Sequence, residues 1–303
     1  MQYLLLAIAA MSLIMLALKF FNVKKIYIPQ AILVNYACAL VIALLSGRDA
    51  LAATGTADPF ANGWWYLALI TGLLYFGSMD IMAASTRRVG VSITTMASRT
   101  SVILPILWAA LLLGEHITGW EVLGVALVLL AFVLIIYRPA DRKDTKKGKR
   151  ERAAAILLPV AVFLSVGFIA VCMKTSQHLI KTAGCYDTDY PVFETMLFTA
   201  AFLGAVVYYA VTEGLGAFRP RWKSILGGLC LGTFNYFVTF GLMHGLKYLS
   251  SSTFYGIYNI GVVLLTTLVG VAAFGEKLDR RKAAGILFAV AAIFVLGFLG
   301  GSL

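Results

Sequence analysis

Charge is scarce in this chain. Only 13% of its 303 residues are Asp, Glu, Lys or Arg, against about a quarter in a soluble domain. That excludes a charged, water-facing surface over most of its length. Histidine is scarcer still. His116, His178 and His244 are scattered without zinc-ligand spacing. No H-E-x-x-H, G-x-S-x-G or P-loop pattern occurs, so no metal centre, hydrolase elbow or nucleotide cradle is expected, and no cofactor is implied. Intramembrane catalysis would need a second deep acid, or a nucleophile with its base, and neither is apparent. An enzyme is therefore not expected. The four cysteines are Cys38, Cys172, Cys185 and Cys230. Only Cys185 falls in a loop, so no disulfide framework is implied. The amino terminus also lacks the basic segment of a signal peptide. Met1-Gln2-Tyr3 leads into an apolar run that continues to Leu18, which reads as a first transmembrane helix.

What fills the chain instead is apolar sequence: 61% of residues are hydrophobic and mean hydropathy is +0.89. Apolar runs occur at about 2–20, 29–46, 64–85, 91–113, 119–137, 154–174, 191–212, 223–246, 251–274 and 283–300. Each is long enough to span a bilayer. They are too long for barrel strands and do not alternate, so helix is the expected state. The expected fold is an all-α membrane protein with ten transmembrane helices. Residues 47–63 read as a loop rich in turn formers. Residues 138–152 (RPADRKDTKKGKRER) read as a solvated linker between two halves. The net charge of +11 sits in such links, so it is no nucleic-acid footprint.

Lysine and arginine are lopsided between the links. The odd-numbered links carry Lys19, Lys24, Lys25, Arg87 and Arg88, then the basic linker, then Arg219, Arg221, Lys223, Lys277 and Arg280 to Lys282. The even links and their helix ends carry Arg48, Lys174, Lys181 and Lys247. The positive-inside rule therefore places the odd links, with the linker, in the cytoplasm of a bacterial-type inner membrane. Both termini then face outward.

The chain also echoes itself. Glu115 and Glu276 each close a run in Gly-Glu, 161 residues apart. At that offset Gly124 falls on Gly285, Ala131 on Ala292 and Ser98 on Asn259. With five helices per half, the second copy enters the membrane inverted relative to the first, an architecture of secondary transporters. The expected organisation is a first repeat over 1–138, a basic cytoplasmic linker over 139–152 and a second repeat over 153–303.

One run is anomalous. Val89 to Glu115 is long enough to span, yet Arg99 lies near its middle, within Ser98-Arg99-Thr100-Ser101. A guanidinium at that depth costs about 2.5–3.5 kcal/mol on the insertion scale, so it must face protein, water or ligand. Pro105 follows six residues later and frees a backbone carbonyl. Other polar groups at depth are Asn35, Tyr36, Asp80, Glu194, Asn235, Tyr236, Tyr255, Tyr258 and Asn259. At the repeat offset Asn35 falls on 196, two residues from Glu194. Arg99 could pair with Asp80 or with Glu194. The bland alternative is that all of these are interhelical hydrogen bonds and packing. Glu115 and Glu276, at helix-hairpin turns, read as capping or interfacial residues rather than substrate ligands.

Two stretches carry a family resemblance: LLLGEHITGWEVLGVALVLLAFVLI within 91–137 and AAFGEKLDRRKAAGILFAVAAIFVLG within 252–299. With five helices per half, they resemble the EamA-type transporters of the drug/metabolite transporter superfamily. Val34-Asn35-Tyr36, Ser98-Arg99-Thr100-Ser101, Asn235-Tyr236-Phe237 and Tyr258-Asn259 resemble a bacterial branch of it. The resemblance implies a basket of helices around a central cavity and alternating-access transport, commonly export, of a small polar metabolite or drug. It departs in one respect: better-known members are drawn with cytoplasmic termini. The expected partners are a small-molecule substrate, with a coupling proton as one option, and the lipid bilayer. Arg99, Glu194, Asp80, Asn35, Tyr36, Asn235, Tyr236, Tyr258 and Asn259 are the expected substrate-binding or coupling residues. A reading from another class is a non-transporting membrane binding or scaffold protein with a structural polar network.

Overall fold

The computed structural model describes residues 1–24, 26–53, 63–89, 91–136, 149–274 and 280–299. Helices account for nearly all of them, and no strand occurs among the described residues. In order they are α1 (Gln2–Lys24), α2 (Ile28–Ser46), α3 (Arg48–Ala53), α4 (Trp64–Val89), α5 (Val91–Thr100), α6 (Ile103–Leu112), α7 (Gly119–Ile136), α8 (Lys149–Thr182), α9 (Tyr186–Thr212), α10 (Trp222–Tyr248), α11 (Ser251–Phe274) and α12 (Arg280–Phe294), the last continued by a π-helical turn at Val295–Leu299. Five segments are long and apolar enough to cross a membrane: Ile28–Ser46, Ile156–Thr182, Tyr186–Thr212, Trp222–Tyr248 and Ser251–Val269. Large apolar side chains also face outward, Leu111 at 78% and Val211 at 80% exposure among them. A water-soluble surface rarely carries so much apolar area, whereas lipid tails favour it.

Three local features differ from the reading of the sequence. The 47–63 stretch is not all loop, because α3 forms within it. Arg-Asp-Ala-Leu-Ala-Ala is rich in good helix formers, and Asp49 in its first turn complements the helix dipole. The fourth apolar run is two helices. The Pro105 ring would clash with the Ser101 carbonyl, so the ladder breaks there. Ser101 O instead accepts a bond from Leu104 N (3.0 Å) and the chain turns through Ser101 and Val102. Finally, Lys174 does not sit at a helix end. The eighth helix continues for eight residues past the sixth apolar run, which leaves Lys174 buried at 3% exposure. The linker up to residue 148, Gly275 and Glu276 lie outside the described residues.

The chain forms two compact units, Met1–Phe76 with Cys172–Tyr248 and Gly77–Val171 with Leu249–Leu303. Each draws on both halves of the sequence.

In the first unit α10 packs on α1 and α2, and α9 packs on α2 and α3. The α2–α10 crossing runs through Gly228 and Gly232. A Cβ at Gly228 would lie 2.5 Å from the Val34 Cβ, and one at Gly232 would lie 2.6 Å from the Cys38 Cβ and press on the Asn35 carbonyl. This is small-residue packing between helices that gain little from apolar burial in lipid. Gly232→Ala should therefore destabilise the fold by about 1–3 kcal/mol, read as a lower melting temperature in detergent. An unchanged melt would remove the crossing as a determinant of the fold. Polar ends lock the same unit. Gln30 donates to Arg219 O (2.7 Å) and accepts from Arg221 N (2.9 Å). Buried Trp64 donates its indole N–H to Asp189 (2.8 Å).

In the second unit α7 packs on α5, α11 and α12, and α11 packs on α6 and α12. Leu296, fully buried, inserts from the π-helical turn between α7 and α11. The Leu-Gly-Glu turn after α6 has a physical account. Gly114 takes a left-handed φ of 69°. This lets the N–H of Glu115 reach back to Ala109 O (3.0 Å), closing the helix end.

Candidate functional site

Polar residues gather at three places, one in the first unit and two in the second. In the second unit, Arg99 is the centre. It occupies the last turn of α5, where the chain is about to break. It is buried, at 6% exposure, and its guanidinium donates to Asn259 Oδ1 at 3.0 Å. Asn259 is held by its own helix, donating to Tyr255 O (2.9 Å). Tyr255 in turn donates its hydroxyl to Ala170 O (3.0 Å). Tyr258 lies within electrostatic reach of the guanidinium and stacks on Phe254 at 5.9 Å. Among the described residues no carboxylate forms an ion pair with Arg99. The Asp80 side chain lies outside the described residues, and Glu194 belongs to the first unit. Asn259 is a neutral amide, so this bond orients the guanidinium and supplies no counter-charge.

In the first unit, Asn235 donates to Asn35 Oδ1 across the α2–α10 crossing at 3.4 Å. Tyr36 is buried beside Asn35 on α2. Tyr236 donates to Ser46 Oγ (2.8 Å). Glu194 is buried, at 2% exposure. It lines a cavity of about 120 Å³ with Tyr186, Tyr190, Tyr236, Phe240 and His244. No lining residue is Lys or Arg. The Tyr190 hydroxyl, one helical turn before Glu194, stands near its carboxylate without the geometry of a good hydrogen bond. Glu194 Oε1 has no hydrogen-bond partner. Eight buried side-chain polar atoms lack partners among the described residues, and six lie in this unit: on Asn35, Ser176, Gln177, Tyr186, Tyr190 and Glu194. Native interiors leave few such atoms.

Sequence reasoning missed a third cluster, in the second unit. Glu121 and Thr118 form a capping box at the start of α7. Thr118 N donates to Glu121 Oε2 (2.9 Å) and Glu121 N to Thr118 Oγ1 (3.3 Å). The other carboxylate oxygen accepts from Ser250 (2.6 Å) and from Ser252. Glu115 Oε2 accepts from Ser251 N (3.1 Å). Two carboxylates thus sit at the N-terminus of α11, where orphan N–H groups and the helix dipole favour them. The T-x-x-E spacing of Thr118 and Glu121 was the available signal. The capping role expected of Glu115 is met, but on α11 rather than on its own hairpin. It is the helix that carries Asn259.

Fold and site together define an all-helical protein with membrane-type surfaces and polar groups in its interior. The chain matches no protein-family model. It is similar to an uncharacterised protein of Haemophilus influenzae, 28% identical over 307 residues that cover 99% of this chain and 98% of that one. It is also similar to a protein of known crystal structure at a TM-score of 0.72 and 15% identity, covering 99% of this chain and 96% of the other. At that identity the likeness concerns the fold alone.

Proposed function

We propose that this chain is a secondary active transporter, an exporter of a small polar metabolite or drug that works by alternating access. In this reading ten helices span the membrane as two inverted five-helix repeats, as in EamA-type members of the drug/metabolite transporter superfamily. The observation that carries it is the broken fourth span beside Arg99. A helix interrupted at membrane depth exposes backbone polar groups, which lipid does not tolerate unless they line a cavity or are buried in protein. Interrupted helices beside a charged group are how secondary transporters build their binding sites. Further support comes from the bond between Arg99 and Asn259, residues at nearly equivalent places in the two copies. Each compact unit also draws on both copies.

The test is a ligand-stabilisation screen on purified protein with amino acids, nucleosides, organic anions and cationic drugs, each hit then followed as flux into proteoliposomes. A ligand bound by the folded state alone raises the melting temperature by mass action. A hit that also crosses the membrane supports the proposal. Hits without flux favour a binding or scaffold protein.

The proposed topology is open to direct measurement. Cys185 is a free, exposed thiol in the turn between α8 and α9. With the other three cysteines replaced by alanine, a membrane-impermeant maleimide should label it in intact cells. Labelling only after lysis would reverse the orientation.

A further inference from the structure

We infer that the groove between α6 and α8 in the second unit is a binding site for a membrane phospholipid, held by one acyl chain and by a hydrogen bond from Trp108 to the ester carbonyl of that chain. The inference needs the membrane placement of the protein and is independent of transport. Its lining comes from two helical stripes. Leu104, Leu107, Trp108 and Leu111 recur at helical spacing on α6, and Leu164 and Phe168 do so on α8. The two helices touch at Gly167, where a Cβ would collide with the Leu104 side chain. Beside that contact the groove holds about 510 Å³. Leu107, Leu111, Leu164 and Phe168 are exposed, so it opens on the surface that faces lipid. A water takes about 30 Å³ of liquid and a methylene about as much, so this volume suits an acyl chain of ordinary length.

One side-chain atom in this lining is polar. Trp108 Nε1 is buried and has no hydrogen-bond partner among the described residues. An indole N–H can only donate, and a buried donor left unmet is destabilising. Water is a poor answer, because a buried water wants roughly two to four polar partners and the side chains here offer one. A bare hydrocarbon tail offers no acceptor at all. The ligand that fits is apolar along its length and carries an acceptor at one end, which describes an acyl chain with its ester.

Depth agrees. Trp108 lies four residues before Leu112, the end of α6, which is about 6 Å at about 1.5 Å per residue. The polar link with Glu115 and His116 follows. Headgroup layers add about 5–8 Å on each side of the hydrocarbon core. The indole therefore stands near the boundary, where ester carbonyls lie and where tryptophan concentrates in membrane proteins. Leu107 and Leu104 lie farther from the link and follow the chain inward.

The test uses two synthetic phosphatidylglycerols with matching chains, one joined by ester bonds and one by ether bonds. Each is added to delipidated full-length protein in detergent, and bound lipid is read by native mass spectrometry. The ether lipid keeps the headgroup, the charge and the chains but lacks the carbonyl. The wild type should bind the ester lipid at least threefold more tightly, the scale of one neutral hydrogen bond. Trp108→Phe removes the N–H and keeps an aromatic ring in the groove. It should bind both lipids equally, at the wild type's affinity for the ether. Equal binding of the two lipids by the wild type, or an ester preference kept in Trp108→Phe, would each overturn the site. If Trp108→Phe does not fold, the comparison of the two lipids on the wild type decides.

Discussion

Under the proposed transport function, Arg99→Ala is expected to abolish flux of an anionic or zwitterionic solute while leaving a folded protein. Losing one buried, hydrogen-bonded charge partner costs about 3 kcal/mol, roughly a hundredfold in affinity. The physical reason is that Arg99 is bought into the interior only by contacts that respect its charge. Asn259 at 3.0 Å orients it but supplies no counter-charge. Arg99→Lys should fail almost as badly, since an ammonium keeps the charge but lacks the planar fork for a two-pronged contact. The measurement is initial flux in proteoliposomes alongside the detergent melting temperature. Wild-type flux in Arg99→Ala would remove Arg99 from the mechanism. A protein that melts much lower with unchanged flux would show that the residue is a structural strut, as the scaffold reading expects.

Glu121→Ala should be the most destabilising single substitution among the polar residues of the second unit. One carboxylate there accepts from the Thr118 backbone N–H, the Thr118 hydroxyl, Ser250 and Ser252. Removing it strands those donors at a buried position and weakens the caps of two helices at once. A cost of about 3 kcal/mol is expected, from lost capping and unsatisfied donors. That corresponds to a melting temperature lower by roughly 5–10 °C. Glu121→Gln should lose less, because the amide oxygen can still accept. A shift below one degree in the alanine variant would mean that the cluster does not hold α11 in place.

Much of this was legible before any coordinates. The apolar runs announced their helices because hydrocarbon leaves a long apolar segment few alternatives to helix. Arg99 stood out because a charge in such a run is costly. Pro105 signalled a break because its ring excludes the carbonyl four residues earlier, and the break falls at Ser101. The repeat offset also brought Asn259 to within one residue of Arg99's equivalent position. The rest was hidden for equally physical reasons. Glu121 looks like a hairpin acid. Its partners Ser250 and Ser252 lie some 130 residues away and are brought to it only by the packing of α11 on α7. Tyr186 and Tyr190, four residues apart, read as ordinary packing. Only the approach of Phe240 and His244 from α10 shows that they wall a cavity around Glu194. Lys174 was counted at a helix end because hydropathy falls before the helix stops.

The most direct test needs no substrate. Ser98 is partly exposed and adjoins Arg99. In a protein with its native cysteines replaced, Ser98→Cys should react with an impermeant maleimide both in right-side-out and in inside-out vesicles, because alternating access opens the polar centre to each side in turn. Reaction from neither side, or from one side alone, would contradict a transport cycle through Arg99.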